Sequence, residues 1–285
     1  MKVGAHGVVL SLPFGKGSTP EEVVNFVTKA GIKCLTIPVK SPTWKINLET
    51  ITNKEISTIK EAIPTSVEVT GLGYCWPSEY NMITDSTTEW KRNLNYVNKL
   101  LEAASALGVQ HVVIGAPGRS VPSGLSYYDG IKSLVKLWRE ACANAEDNEV
   151  MFCIEHSSID RSNVGNTTKL LIDLIDAVGS PAFQMIAQIQ DMAVNDLDVS
   201  GAIRDAGDRI KQVHVADVSG LNPLSEAWSP LLLPGKGVLD FVKIFKALKD
   251  IGYDGEICIE AILGEDPAST LSDTRKFLEN IWKHA

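Results

Sequence analysis

Two glutamates close short apolar segments of the same form in this sequence. Glu155 ends the run Cys153–Glu155, and Glu260 ends the run Cys258–Glu260. A carboxylate on an apolar segment is costly to bury unless an opposite charge compensates it. A divalent cation shared by the two glutamates would supply that charge, and an ordinary ion pair of each glutamate with a lysine or arginine would do so equally well. The residues alone leave both interpretations open.

Two further apolar runs carry polar residues at or near their ends. His214 lies near the end of the run Ile210–Val215, two residues after Gln212. The preceding run, Phe183–Gln188, continues into the polar stretch Gln188–Asp191. Oxygen and nitrogen donors of these types suit Mn, Mg, Co or Zn, so the four segments predict a metal site if the fold brings them to one edge. Paired carboxylates beside such a site can also exchange protons with a bound substrate.

The elements that must position these residues alternate between short apolar runs and amphipathic helices. The strand candidates are apolar almost throughout, which is typical of parallel strands covered on both faces. They are Val3–Leu10, Cys34–Val39, Val67–Leu72, His111–Ala116, Val150–Glu155, Phe183–Gln188, Ile210–Val215 and Glu256–Ile262. This alternation predicts an α/β fold, a (β/α)8 TIM barrel that forms a single domain over residues 1–285. An open doubly wound sheet is disfavoured because the chain has no GxGxxG fingerprint and no phosphate-binding loop.

Start and stop signals support the helices between these runs. Thr19–Glu22 predicts an N-cap, a proline in the first turn and a capping-box glutamate. Ser86 and Glu89 predict a second capping box, and Asp266 followed by Pro267 opens the last helix. Because active sites of TIM barrels lie where the strands end, we expect the polar strand ends described above to converge at one mouth of the barrel.

Charge and composition narrow the class of partner. The formal net charge of −8 and the pI near 5.2 argue against a nucleic-acid partner, which favours a basic face. The five cysteines show no CxxC spacing, which predicts a reducing compartment. The N-terminal apolar stretch is short and weakly charged, and no apolar run approaches the length of a membrane span. We therefore expect a cytoplasmic protein with no membrane partner.

Short motifs in the second half of the chain carry a family resemblance. They are CIE at Cys153–Glu155, Asn166-Thr167, AIRDAG at Ala202–Gly207, Val213-His214, LPGKG at Leu233–Gly237 and GYDGEICIE at Gly252–Glu260. These motifs resemble those of the xylose isomerase-like TIM barrel superfamily of sugar phosphate isomerases and epimerases, above all the ketose 3-epimerases. The resemblance implies a metal-dependent isomerase or epimerase with a divalent ion, Mn in the first place and Mg, Co or Zn as alternatives. It also implies a small carbohydrate or cyclitol substrate and is compatible with a homo-oligomer.

The resemblance also implies a set of site residues. Glu155, His214 and Glu260 match the family's metal ligands on strands five, seven and eight. The family's strand-six aspartate is replaced by Gln188, and the histidine that follows it by Asp191. We expect Gln188 to be the fourth ligand through its carbonyl oxygen, with Asp191 as the alternative ligand, a base or a substrate contact. Glu155 and Glu260 are the expected catalytic pair.

Departures from the ketose 3-epimerases predict a different substrate pocket. Arg161 stands where those enzymes tend to carry a substrate-holding glutamate. His6, Trp76 and Lys236 are further candidates for substrate contact, and each has packing in the core or exposure to solvent as its alternative. Asp217 is predicted to orient a metal ligand from behind.

The leading hypothesis for the reaction is proton transfer at a carbon next to a carbonyl, through a metal-stabilised enediolate, which isomerises or epimerises a sugar. The first alternative is a metal-dependent lyase or dehydratase that eliminates from a keto-sugar, a keto-inositol or a 3-keto-glycoside. The second alternative is a metal-free barrel that acts as a binding module. The DNA-repair endonucleases of the superfamily use many histidines, and the five histidines of this acidic chain disfavour that branch.

Overall fold

Eight parallel strands close into a barrel in the computed structural model, which describes residues 1–7, 19–39, 52–73, 76–77, 79–221 and 231–285. The strands follow chain order around the barrel, and β1 pairs with β8 to close it. They are β1 (Lys2–His6), β2 (Cys34–Pro38), β3 (Glu68–Gly73), β4 (His111–Ile114), β5 (Met151–Glu155), β6 (Phe183–Gln188), β7 (Ile210–Val215) and β8 (Glu256–Ile259). The predicted (β/α)8 TIM barrel fold is confirmed, and the extension of one domain over every residue of 1–285 stays a prediction.

The helices pack around the barrel and connect its strands. They are α1 (Pro20–Lys29), α2 (Asn53–Ala62), α3 (Thr87–Leu107), α4 (Tyr127–Asp147), α5 (Thr168–Val178), α6 (Ile189–Asn195), α7 (Val199–Ala206), α8 (Phe241–Asp250) and α9 (Pro267–His284). Thr19 caps α1 with the predicted capping box to Glu22. Ser86 caps α3, but the second predicted box is wrong, because the Glu89 carboxylate accepts a hydrogen bond from Thr84 Oγ1 at 2.7 Å instead of from the Ser86 backbone.

Apolar side chains fill the space between the strands and the helices. Trp138 of α4 is fully buried there and packs against Phe152 of β5 and Phe183 of β6. A smaller cluster, which includes Val113 and Cys153, lies apart from this core. The apolar character of both strand faces follows from burial on both sides, as the sequence pattern predicts.

The strand boundaries agree closely with the predicted ones. β6 and β7 have the predicted bounds, and most of the other described strand ends differ by one or two residues. β8 ends at Ile259 rather than Ile262, because the Ile262 N–H donates to the Leu231 carbonyl and the chain leaves the sheet. The predicted end of the first strand, residues 8–10, lies outside the described residues. Within the described ranges, the helices are too short or too polar to cross a membrane.

Candidate active site

The side chains of Gln188 and His214 meet the carboxylate of Glu260 at the C-terminal end of the barrel. Glu260 comes directly after β8, and its backbone N–H donates to the Val215 carbonyl at 3.0 Å. Its Oε2 accepts a hydrogen bond from Gln188 Nε2 at 2.6 Å and lies 3.2 Å from His214 Nδ1. All three side chains are buried. β6, β7 and β8 therefore bring three of the four predicted metal ligands into contact.

His6 joins this group from β1, the other neighbour of β8. Its ring centroid lies 5.1 Å from that of His214, in an edge-to-face arrangement. His6, His214 and Glu260 each offer one atom that can bind a metal, and these atoms all lie within 4.8 Å of one another. Gly73 leaves room for the ring, because a Cβ atom there would lie 2.6 Å from His6 Nε2. His6 thus lies beside the predicted ligands, and its contact with a substrate stays a prediction.

Glu155 ends β5 and lies near this group without belonging to its compact set of ligand atoms. The side chain is buried, and Gly115 leaves room for it, because a Cβ atom there would lie 3.0 Å from Glu155 Oε1. Glu260 and His214 both act electrostatically on the Glu155 carboxyl. Glu155 is therefore coupled to Glu260, while its place in a shared ligand set stays a prediction.

The surroundings shift the pKa values of Glu155 and Glu260 in opposite directions. Burial raises the pKa of Glu155, and the negative charge of Glu260 raises it further. Burial also raises the pKa of Glu260, but the adjacent His6 and His214 rings and the hydrogen bond from Gln188 outweigh it and lower the pKa to about 2. Burial opposes the charge of His214, yet the hydrogen bond to Glu260 raises the pKa of this histidine. The site therefore contains one carboxyl that favours its proton and one that favours its charge.

Asp191 lies in the first turn of α6 and is fully buried beside the same carboxylates. Arg161 Nη2 lies 3.6 Å from Asp191 Oδ2, and neither oxygen of Asp191 has a hydrogen-bond partner within the described ranges. Burial raises the pKa of Asp191 to about 7, although Arg161 opposes the shift. Gln188, rather than Asp191, contacts Glu260. Arg161 and Asp191 thus form a pair beside the site, and their contact with a substrate stays a prediction.

A model of one protein family, described as xylose isomerase-like TIM barrel, matches residues 24–281. The chain belongs to this family. The family assignment agrees with the closed barrel and with the position of the polar cluster at the C-terminal ends of its strands.

Curated relatives share part of their sequence with this chain. A D-psicose 3-epimerase of Enterocloster bolteae is 29% identical over 126 residues, which are 44% of this chain and 38% of that protein. A D-psicose 3-epimerase of Ruminiclostridium cellulolyticum is 21% identical over 185 residues, which are 65% of this chain and 45% of that protein. The matched segments thus span less than half the length of these two relatives.

Among solved structures, a D-psicose 3-epimerase from Clostridium cellulolyticum H10 with D-tagatose has a TM-score of 0.78 and 19% identity, and covers 100% of this chain and 99% of its own. A 3-keto-D-glucoside 4-epimerase from E. coli has a TM-score of 0.78 and 21% identity, and covers 98% of this chain and 99% of its own. At these identities the likeness shows that the fold is shared.

Trp76, a candidate for substrate contact, packs in the core of the barrel. Its side chain is buried, and its ring lies edge to face against Tyr96 at a centroid distance of 5.4 Å. Its Nε1–H donates to the Tyr80 carbonyl at 2.9 Å. Trp138 packs on it as well. These contacts favour the alternative of packing in the core, and a contact of Trp76 with a substrate stays a prediction.

Asp217 organises a turn and does not orient a metal ligand. Its carboxylate oxygens accept four backbone hydrogen bonds at 2.9 to 3.1 Å, from the N–H groups of Val218, Gly235, Gly237 and Leu239. These bonds occupy the acceptor positions of the carboxylate, so the predicted supporting role behind His214 is wrong. Lys236 lies in the same turn, and it is exposed. Its contact with a substrate stays a prediction.

Arg119, which follows β4, was missed by the sequence reasoning. It is fully buried, and its Nη1 donates to the Ile114 carbonyl at 3.2 Å, while Nε and Nη2 have no hydrogen-bond partner in the described part of the chain. Burial lowers the pKa of Arg119 to about 10, and the charges of Glu155 and Asp191 oppose that shift. Arg119 therefore offsets part of the negative charge beside Glu155. Its position just past a strand end is the signal that could have identified it.

Gln212 and Glu256 were also missed as parts of the interior. Gln212 stands two residues before His214, and Glu256 stands four before Glu260, so strand alternation places each on the same face as the site residue. Both are buried, and Gln212 Nε2 donates to Glu256 Oε2 at 2.8 Å. The period of two, applied to polar as well as apolar residues, would have found them.

Proposed function

We propose that this chain is a metal-dependent sugar epimerase or isomerase that moves a proton at a carbon next to a carbonyl. The observation that carries the proposal is the meeting of Gln188, His214 and Glu260 at the C-terminal end of the barrel, with the buried Glu155 carboxyl electrostatically coupled to Glu260. Two carboxyls held in one buried site can act as the acid and the base of a single proton transfer. The names of the curated relatives, D-psicose, ketose and L-ribulose 3-epimerases, favour a ketose as the substrate.

The donor atoms of the site fit a divalent cation. Gln188 Oε1 is buried and has no hydrogen-bond partner among the described residues, so it is available as a neutral oxygen ligand. His214 and Glu260 already contact each other beside it. Glu155, Gln188, His214 and Glu260 would hold the ion, and this mixture of oxygen and nitrogen donors suits Mn, Mg, Co or Zn. An ion held by these residues would polarise the carbonyl of the substrate and lower the energy of the enediolate.

The two glutamates supply the proton transfer. In this proposal the Glu260 carboxylate removes a proton from the substrate carbon and becomes a carboxylic acid. Glu155, once it carries a proton taken up from solvent, returns that proton to the opposite face of the same carbon, which inverts that centre. After one turnover the two groups have exchanged protonation states, and exchange with solvent restores them. Arg161 and Asp191, whose side chains lie 3.6 Å apart beside the carboxylates, would hold substrate hydroxyl groups during this step.

Proton exchange with solvent tests this function. The Mn-loaded protein is incubated in deuterated water with ketopentoses, ketohexoses, keto-inositols and 3-keto-glycosides. We expect deuterium at the carbon next to the carbonyl, in the epimer or in recovered substrate. Transfer of the substrate's own hydrogen without any solvent label would instead indicate a hydride shift.

Glutamine variants test the roles of the two carboxylates. Glu155→Gln and Glu260→Gln should each slow exchange at least about a hundredfold, because each loses a proton-transfer group. Glu265→Gln is the matched control, since Glu265 is an exposed carboxylate on the loop after β8. Near-normal exchange in either site variant would contradict the paired-glutamate mechanism.

A lyase is the second candidate, and Gln188 is the observation that favours it. A neutral amide at this position leaves more positive charge at the site than an aspartate would, and this favours expulsion of a group next to the enediolate. Elimination would release water or a free sugar from a keto-inositol or a 3-keto-glycoside, whereas epimerisation conserves the mass of the substrate. A binding module without metal would be indicated by a purified protein that holds no ion and whose melting temperature is unchanged by Mn.

A further inference from the structure

A line of buried polar side chains continues from the site toward the N-terminal end of the barrel. Gln212 of β7 donates from Nε2 to Glu256 Oε2 at 2.8 Å and to Thr36 Oγ1 at 3.3 Å. All three residues are buried. The nitrogen of the Gln212 amide thus faces Glu256 and Thr36, and a Glu256 carboxylate oxygen is the acceptor that suits it. The amide oxygen of Gln212 is thereby turned the other way.

That oxygen faces His214. Gln212 Oε1 lies 3.3 Å from His214 Nε2, and an amide oxygen can only accept, so a proton must sit on Nε2. The other ring nitrogen, Nδ1, lies 3.2 Å from Glu260 Oε2, on the side of the candidate ligands. A histidine with a proton on one nitrogen offers its lone pair at the other.

We propose that Gln212 and Glu256 are positioning residues that hold the proton of His214 on Nε2 and so make Nδ1 the nitrogen that ligates the divalent cation. A ligating histidine commonly donates its other N–H to a carbonyl or carboxylate, which fixes the orientation of the ring. Here the amide of Gln212 stands between the histidine and the carboxylate of Glu256. The proposal rests on the proposed function only in requiring that a cation bind at His214.

Gly4 of β1 provides a way to disturb Glu256 without altering any side chain of this line. The Glu256 carboxylate occupies the space over Gly4, and a Cβ atom built there would collide with Glu256 Oε1. Gly4→Ala must therefore displace the carboxylate, which frees the amide of Gln212 to rotate. Gln212→Leu removes the acceptor directly at nearly constant volume.

The test uses the full-length protein labelled with ¹⁵N-histidine and loaded with zinc, a diamagnetic probe. Long-range ¹H–¹⁵N correlation spectra distinguish a metal-bound ring nitrogen from a protonated one, and the His214 signals are those lost in His214→Asn. We expect zinc on Nδ1 and the proton on Nε2. Gln212→Leu and Gly4→Ala should weaken zinc binding about ten- to hundredfold in a competition titration and lose the Nε2–H signal. The matched control is Gln184→Leu, which replaces a glutamine at the start of β6 whose amide bonds the Pro181 carbonyl, and it should change neither.

The possible results distinguish a failure of this proposal from a failure of the proposed metal-dependent function. Zinc bound through Nε2 in the unaltered protein would overturn this proposal alone, and so would unchanged affinity and an unchanged tautomer in both variants. Because the wild-type spectrum by itself reports the ligating nitrogen, the proposal stays falsifiable if one variant fails to fold. A wild-type protein that binds no zinc would overturn the metal-dependent function, and this proposal with it.

Discussion

Replacing Asp191 with asparagine should stabilise the metal-free protein, by an amount that grows with pH. Asp191 is fully buried, and burial is the main cause that raises its pKa. A carboxyl whose pKa is higher in the folded than in the unfolded state binds more protons when folded. The free energy of unfolding must therefore fall as pH rises between the two pKa values. Asparagine has nearly the same shape but does not ionise, so it avoids this loss.

The size of the stabilisation by Asp191→Asn follows from the pKa shift of Asp191. The pKa of Asp191 rises from an ordinary 3.8 to about 7. A difference of roughly three pKa units corresponds to about 4 kcal/mol, and to about 1.4 kcal/mol for each pH unit between the two values. Near pH 4 the unfolded state has only partly lost the proton that the folded state keeps, so the variant and the wild type should differ by less than about 1 kcal/mol from this cause. Near pH 8 the full cost is present in the wild type alone.

Urea unfolding with a chelator at pH 4 to 8 measures this difference directly. We expect the stability of Asp191→Asn relative to wild type to increase steadily up to about pH 7 and then level off. Asp173→Asn is the control, because Asp173 lies exposed on α5 in an ion pair with Lys169, and such surface pairs contribute about 0–1 kcal/mol. A stability difference for Asp191→Asn that is constant across this range would refute the reasoning.

Three further variants test other parts of the site. Gln188→Asp should bind Mn at least about tenfold more tightly, because a carboxylate adds Coulombic attraction. The same variant should turn over more slowly, because the added charge weakens stabilisation of the enediolate. A variant whose Mn affinity and initial rate both rose, or both fell, would contradict this. Asp217→Asn should lower the free energy of unfolding by roughly 2–4 kcal/mol, since an amide nitrogen would face backbone N–H groups and leave them unpaired; a loss below about 1 kcal/mol in urea would be evidence against that role. Trp76→Phe should lose about 1 kcal/mol with its hydrogen bond to the Tyr80 carbonyl and leave KM unchanged, so a large rise in KM would restore a substrate contact.

The barrel itself was predictable because its signals are local and repeated. An apolar run that is buried on both faces needs no knowledge of its partners, and β6 and β7 have the predicted bounds for this reason. The matching positions of Glu155 and Glu260 at the ends of such runs likewise follow from the strand pattern. In a parallel barrel those ends must lie at the same mouth. The contact between Gln188 and Glu260 agrees with this expectation.

The loops were not predictable, because their paths depend on hydrogen bonds between residues far apart in the chain. Asp217 was expected behind His214, but four backbone N–H groups of the following turn take its oxygens. Trp76 is a predicted candidate for substrate contact, but its ring packs into the apolar layer against Tyr96. Neither a charge nor an aromatic ring specifies by itself which way a loop carries it.

Barrel closure decided the rest of the site. His6 stands at the beginning of the sequence and Glu260 near its end, and they come together only because β1 pairs with β8. The same closure places Gly4 against Glu256, where the absence of a Cβ atom leaves the space that the carboxylate fills. Residue types and their period determined which side chains face the interior. Which of those side chains touch one another was decided by the register between strands, because one residue of slip would send every alternate side chain to the other face.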